Sequence, residues 1–401
     1  MKNSDHEMKK TQLMINLCTH DSVIHELDMF IQHKLEGYAR YRNYDFGSKD
    51  NNYVSALSPA ITRGIITEEY IVNRVLKSHK FKNIQKFIEE ICWRTYWRGY
   101  LEQHKNIWDN YIKELSELKH WKDNENYIQA INGATKIECF NVWIKDLTEK
   151  NYLHNHTRMW FASIWTHTLG LPWQLGADLF MRYLLDADSA SNTLSWRWVM
   201  GLHTKNKYYL ARADNIKKYT NNNFYPTGLL ANQFKPMIPY INYNLSNLNI
   251  IKKDYEKKID CLLIHENDLS FKNLPESKFV LFQKTNCEKI NRSKNVRKFI
   301  NNCLKNRYLD LKKLSKSQII EYSFENQIKI ETFIKKNKIT KIHIPYPKIG
   351  YLKTQIDSLE KYLSIDFEYI YSNWDCLFWP NADKGFFKLK KQIPKLIEQC
   401  N

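Results

Sequence analysis

Between Leu184 and Trp198 the chain reads LLDADSASNTLSWRW, a short run dense in groups that could do chemistry. Asp186 and Asp188 stand two apart, Asn192 follows four residues after Asp188, and Trp196 and Trp198 close the run. Acid, amide and two large rings thus cluster at one helix-to-loop junction. Two carboxylates this close are also what helix caps and solvated charges look like. A second block, YLHNHTRM (152–159), brings a cation: a buried Arg158 would need a carboxylate, and Asp186 could supply one across the core. A third, VSALSP (54–59), reads as a turn entering a helix with Ser55 or Ser58 as N-cap. It reads equally as a loop whose hydroxyls and free backbone N–H groups could hold a pyrophosphate. YARYRNYDF (38–46) and EEICWRTYW (89–97) complete the informative blocks.

The elements that must position these groups are helical from residue 22 to 245, where aromatic and aliphatic residues recur three and four apart. In NIQKFIEEICWRTYWRGYLEQH, one face carries Phe87, Ile88, Ile91, Cys92 and Thr95 while another carries Glu90, Trp93, Arg94 and Trp97. From 259 to 401 the pattern becomes α/β, with strands expected in CLLIHE, KFVLFQK, KIHIPYP and FEYIYS between helical segments. Residues 1–21 read as a flexible leader.

Composition narrows the function classes. The 401 residues carry a net charge of +18, which attracts polyanions at long range and makes nucleic acid the leading partner class. Aromatics make up 14% of the chain, with 12 Trp and 25 Tyr, a composition that suits planar ligands and unstacked bases. There is no GxxxxGK[ST], HExxH or GxSxG, and no GxGxxG follows the first expected strand, so a nucleotide cofactor must be held another way. Eight cysteines without CxxC or Cys/His spacing imply reduced thiols in a cytoplasmic protein with no metal site. The polar start and the lack of an apolar run near ~20 residues argue against secretion and membrane insertion.

In order and spacing, the five blocks resemble the FAD-binding domain of DNA photolyases and cryptochromes from about residue 30 to 215. The resemblance implies a mainly α fold, an all-helical FAD-binding domain followed by a smaller α/β domain. The family's Tyr-xxx-Arg pair matches Tyr38 and Arg42. Its diphosphate loop matches Val54, Ser55, Ala56, Leu57 and Ser58, with Val54 where the family has Thr. Its Glu-x-x-Trp-Arg helix matches Glu90, Trp93 and Arg94, its His-Asn-x-x-Arg-Met matches His154, Asn155, Arg158 and Met159, and its Asp-Gly-Asp with the following Asn matches Asp186, Ala187, Asp188 and Asn192.

By that resemblance, Tyr38, residues 54–58, Arg94, Asn155, Arg158, Asp186, Asp188 and Asn192 would bind FAD. Arg158, paired with Asp186, would lie beside the isoalloxazine, and Asn192 would face N5, where a neutral amide tolerates reduced flavin. Glu90, Trp93, Asn155, Met159 and Trp198 would line a pocket for a flipped-out pyrimidine dimer, with the two tryptophans as stacking walls. Enzymes for the (6-4) lesion place His at the positions of Asn155 and Met159, so the cyclobutane dimer is the implied substrate. Trp196, Trp173 and Trp121 match the family's electron-conducting tryptophans.

The resemblance departs in two places. Few residues precede the first FAD motif, so the usual N-terminal antenna domain is expected to be missing, and the C-terminal α/β unit is expected to be a rearranged counterpart. GLHTKNKYYLARADN (201–215) replaces the family's usual segment, with Lys205, Lys207 and Arg212 offering charges to phosphate. The implied function is light-dependent DNA repair by a monomer acting on single- or double-stranded DNA; the alternative is a cryptochrome-like blue-light receptor.

Overall fold

The computed structural model describes residues 17–47, 52–205, 207–234, 241–248, 250, 258–270 and 275–400. Helices lead the order: α1 (His20–His33), α2 (Leu35–Tyr41), α3 (Ser58–Thr62), α4 (Glu68–Leu76), α5 (Phe81–Gln103), α6 (Asn106–Glu117), α7 (Glu125–Ile131), α8 (Glu138–Lys150), α9 (Asn155–Ser163), α10 (Trp173–Tyr183), α11 (Ser189–Val199) and α12 (Ala213–Tyr219). The mainly helical fold agrees with the sequence pattern. Most of the expected leader, residues 1–16, lies outside the described residues. Its end does not behave as a leader: Leu17 and Cys18 are buried, and Thr19 caps α1 by accepting from Ser22 N, so core packing fixes these residues.

Helix α5 is the axis of this half. Its 23 residues contain no proline and reach about 35 Å at the usual rise per residue. Ile84, Phe87, Ile88, Cys92, Thr95 and Tyr96 are buried along it.

Five strands follow, β1 (Lys258–Ile264), β2 (Glu276–Gln283), β3 (Gln318–Tyr322), β4 (Lys341–Pro345) and β5 (Asp366–Ile370), interleaved with α13 (Lys294–Leu314), α14 (Gln327–Asn337) and α15 (Tyr351–Leu363). They form one parallel sheet in the order β3-β2-β1-β4-β5, with Leu262 opposite both Val280 and His343. The period-2 alternation of side chains divides two cores. Leu262, Ile264, Val280 and Phe282 join α13 and the helical half in one continuous core, while Cys261, Leu263, Phe279 and Leu281 pack with Ile330, Ile334 and Ile356 on the other face. Residues 259–401 thus share a core with the helices that precede them.

The chain then returns to α5 through α16 (Asn373–Phe378), α17 (Phe386–Lys390) and α18 (Ile393–Cys400). Trp374 Nε1 donates to Thr95 Oγ1 at 2.9 Å, and Gln103 Nε2 donates to the Trp379 carbonyl at 2.8 Å. Gly99 permits this approach, since a Cβ there would meet Trp379 Cδ1 at 2.7 Å.

One contact between the two halves gives a pH-dependent prediction. Glu102 on α5 is buried and accepts from Tyr346 OH at 2.7 Å and from Ile349 N at 2.8 Å, just beyond β4. Burial pushes its carboxyl up to about 7 from an ordinary value of 4.5. Between those two values the folded chain keeps a proton that the unfolded chain has released. This group's contribution to stability therefore falls as pH rises through that window and is flat above it. Glu102→Gln should remove the slope: in melting curves taken across the window, the variant should gain on wild type as pH rises. A constant difference would contradict the assignment.

Candidate active site

Five segments converge on a cavity of about 670 Å³, inside the ~300–1,000 Å³ range of small-molecule sites. The turn before α3 supplies Val54, Ser55, Ala56, Leu57 and Ser58; α2 supplies Tyr38; α5 supplies Phe87, Glu90, Trp93, Arg94 and Trp97. Helix α9 adds Asn155, Arg158 and Met159, and the α10–α11 junction with α11 adds Asp186, Asp188, Asn192, Trp196 and Trp198. Five of the expected residues stand outside this lining: Trp121, Trp173, Lys205, Lys207 and Arg212.

Arg158 and Asp186 meet as an ion pair, Nη1 to Oδ2 at 3.0 Å, while Arg158 Nε donates to the Leu153 carbonyl at 2.9 Å. Burial alone would raise the Asp186 carboxyl; Arg158 and Arg94 override it and hold the group below the usual carboxylate range. Asp186 therefore stays charged. Asp188 takes a different place. It caps α11, accepting from Ser191 N at 2.8 Å, and pairs with Arg98 Nε at 2.9 Å, which in turn reaches Glu68 at 2.8 Å. The helix-cap reading holds for Asp188, though the cap is largely shielded from solvent and ion-paired. Its partner Arg98 was legible only as a second arginine four residues after Arg94, one turn along the same helix.

The loop at 54–58 corrects one expectation. Neither Ser55 nor Ser58 caps α3: Leu57 occupies the N-cap position, and Ser55 Oγ instead accepts from Leu57 N at 3.4 Å. Ala56 has φ of 53°, a left-handed conformation rare outside glycine, and such strain concentrates at ligand-binding turns. It turns the loop around the cavity wall.

Asn192 donates one Nδ2–H to the Ala177 carbonyl at 2.8 Å, which fixes the amide and leaves its oxygen and second N–H for a ligand. Trp196 is packed by Phe161, Trp165 and Phe180, with centroids at 6.4, 6.4 and 5.1 Å. Below it, Gly176 touches the ring edge closely enough that a Cβ would sit 2.2 Å from Cη2. Among the described residues, neither Trp173 nor Trp121 makes a ring contact with Trp196; Trp173 stacks instead on Tyr111 at 5.4 Å.

Two expected stacking walls are partly used. Trp93 stacks on Phe386 of α17 at 3.8 Å and 15°, which takes up one of its faces, and Trp198 stacks on Tyr209 at 5.8 Å. Glu90 forms ion pairs with Lys86 at 2.8 Å and Arg42 at 3.6 Å. Arg212 is spent on Asp214, whereas Lys205 and Lys207 are exposed. The sequence reading missed Trp97, Tyr152 and Phe387 in the cavity lining, and Phe387 comes from the far end of the chain.

Residues 87–260 match the family described as the FAD binding domain of DNA photolyase. A deoxyribodipyrimidine photo-lyase of Alkalihalophilus pseudofirmus is 28% identical over 200 residues, covering 48% of this chain and 41% of that one. Another, from Agrobacterium fabrum, is 31% identical over 180 residues, covering 44% and 37%. The helical part of this chain is similar to the FAD-binding domain of the photolyase and cryptochrome family. The chain spans about two fifths of the length of these photolyase relatives. Among solved structures, a Synechocystis cryptochrome is 22% identical with a TM-score of 0.45, covering 51% of this chain and 43% of that one.

The family's cofactor is FAD, and the residues present fit it. Asp186 Oδ1, Ser191 Oγ and Trp196 Nε1 are buried without a hydrogen-bond partner in the protein, and all three residues line the cavity. An orphaned acceptor, a hydroxyl and an N–H there call for a ligand with both donors and acceptors. A flavin ring with its ribityl chain and diphosphate carries all of these.

Proposed function

We propose that this chain, with FAD bound, splits cyclobutane pyrimidine dimers in DNA under blue light. The flavin, when bound and reduced, would supply reversible light-driven one-electron chemistry, and Arg158, Asp186, Asn192 and residues 54–58 would hold it. The observation that carries this reading is a single cavity that joins the Arg158–Asp186 pair and the Asn192 amide to Glu90, Asn155, Met159 and Trp198.

In this reading, Arg158 and Asp186 set the charge beside the isoalloxazine, the positive member favouring an anionic ring. Asn192, its amide oriented by one N–H to Ala177, would offer its oxygen to a protonated ring nitrogen. Residues 54–58 hold the diphosphate through backbone N–H groups and the Ser55 and Ser58 hydroxyls, since Val54 has no hydroxyl to give. Arg94 is fixed to Thr62 Oγ1 at 2.9 Å and keeps Asp186 ionised from the other side. Glu90 hydrogen-bonds the extruded base, the free faces of Trp93 and Trp198 flank it, and Trp196 relays electrons to the flavin. Asn155 and Met159, in place of two histidines, favour the cyclobutane dimer over the (6-4) lesion. The net charge of +18 favours DNA as partner, with Lys205 and Lys207 at the rim.

The test is direct. Chemically reduced protein incubated with ultraviolet-damaged oligonucleotides should lower the number of remaining dimers under blue light and leave it unchanged in the dark. The stacking of Phe386 on Trp93 favours a second reading, a blue-light receptor, because it narrows the space for an extruded base. Flavin that photoreduces while dimers persist in both single and double strands would support the receptor.

A further inference from the structure

Helix α17 contributes two adjacent phenylalanines with opposite fates. Phe386 is buried and stacks on Trp93, while Phe387 is 72% exposed and yet lines the cavity, which puts it at the mouth. An exposed phenylalanine forfeits roughly 1.5–3 kcal/mol of burial and has no packing reason to be there. Its surroundings are cationic. Lys384, just before α17, and Lys391, at its C-cap, flank it in the chain, and both are exposed and in no ion pair among the described residues. Lys388 and Lys390 are partly neutralised by Asp383 at 3.2 Å and Glu89 at 3.0 Å. An exposed aromatic ring flanked in the chain by two unpaired lysines, beside a cavity of nucleotide size, has the chemistry of a DNA wedge: the cations take flanking phosphates and the ring enters the base stack.

We infer that Phe387 is the residue that fills the gap left in duplex DNA when a base pair is opened and its pyrimidines enter the cavity, with Lys384 and Lys391 gripping the strand on either side. The inference rests on the DNA-repair reading above and deepens it by assigning the duplex contact. The ring replaces the stacking that the unpaired opposite bases lose, a need that single-stranded substrate does not have. Phe386 holds α17 in place through Trp93, so the wedge and the cavity wall move as one.

The test compares Phe387→Ala with wild type on four oligonucleotides: dimer-containing and undamaged, each single-stranded and duplex. Because Phe387 is exposed, the substitution removes little core packing, and an unchanged melting temperature verifies folding. Binding to the damaged duplex should weaken by roughly 5- to 150-fold, the equivalent of a ~1–3 kcal/mol base–aromatic stack, while binding to the damaged single strand stays unchanged. Phe387→Trp should restore duplex binding. A 2-aminopurine placed opposite the dimer should change its fluorescence on binding wild type and Phe387→Trp but not Phe387→Ala. Lys384→Ala and Lys391→Ala should weaken damaged and undamaged DNA alike and each lower the salt slope by about one. Equal losses on single and double strands would make Phe387 an ordinary stacking wall and overturn the wedge; so would no loss at all. Wild type that fails to distinguish damaged from undamaged DNA in either form would instead remove the repair reading itself.

Discussion

Asp186→Ala should yield a protein that loses its flavin on gel filtration and melts well below wild type. The side chain is 5% exposed and holds Arg158 at 3.0 Å. Removing it leaves a largely buried guanidinium with the Leu153 carbonyl and the Tyr152 ring face but no carboxylate, and strips the cavity of the orphaned oxygen that a ligand would meet. Breaking a buried pair by deleting one member costs about 3–5 kcal/mol. Asp186→Asn keeps the shape and one acceptor, so it should retain more of the fold than of the flavin. Flavin absorbance after gel filtration, read beside thermal denaturation, separates the two losses. Retention of flavin at the wild-type ratio in Asp186→Ala would contradict the central place given to this pair.

Gly176→Ala should damage the same site from beneath. On propensity alone, alanine inside α10 would stabilise the helix by about 1 kcal/mol. The geometry reverses the sign, because the new methyl would lie 2.2 Å from Trp196 Cη2, a distance that real atoms do not keep. Phe161, Trp165 and Phe180 hold the ring on its other sides, so its escape is toward the cavity. Overpacking of this kind costs about 1–3 kcal/mol, and it would also pull on the α10 backbone that anchors Asn192. The expected result is a lower melting temperature together with weaker binding in an FAD titration. A variant that melts higher than wild type and binds FAD equally would show that the two helices can simply slide apart.

The residues that lie close together on one helix or one loop were readable in the sequence. The two faces of α5 and four of the five strands follow from local periodicity, and the pairing of Arg158 with Asp186, on different elements, was reached only through the need of a buried charge for a partner. Strand β3 escaped notice because QIIEY is an edge strand with half-exposed side chains, following a Lys-rich helix, so its alternation is faint. The N-cap of α3 was misread because serine usually wins that position, whereas here the strained turn at Ala56 hands it to Leu57. Contacts across the chain were out of reach. Nothing near Trp93 announces that Phe386 will cover it, and nothing in Trp173 or Trp121 tells a ring near Trp196 from a ring packed elsewhere. Spacing identifies a helix face but not the distant segment that will pack on it.

The return of the C-terminal helices to α5 also bears on how the protein is made. Thr95 and Trp374, joined by a hydrogen bond, are 279 residues apart. At synthesis rates of roughly 5–20 residues per second, on the order of 15 to 60 s separate their emergence from the ribosome. For that interval Trp93 and Tyr96 have no Phe386, and Gly99 no Trp379, packed against them. A nascent chain in this state exposes an aromatic patch beside an unfinished cavity, the kind of surface that makes a partly folded chain prone to aggregate.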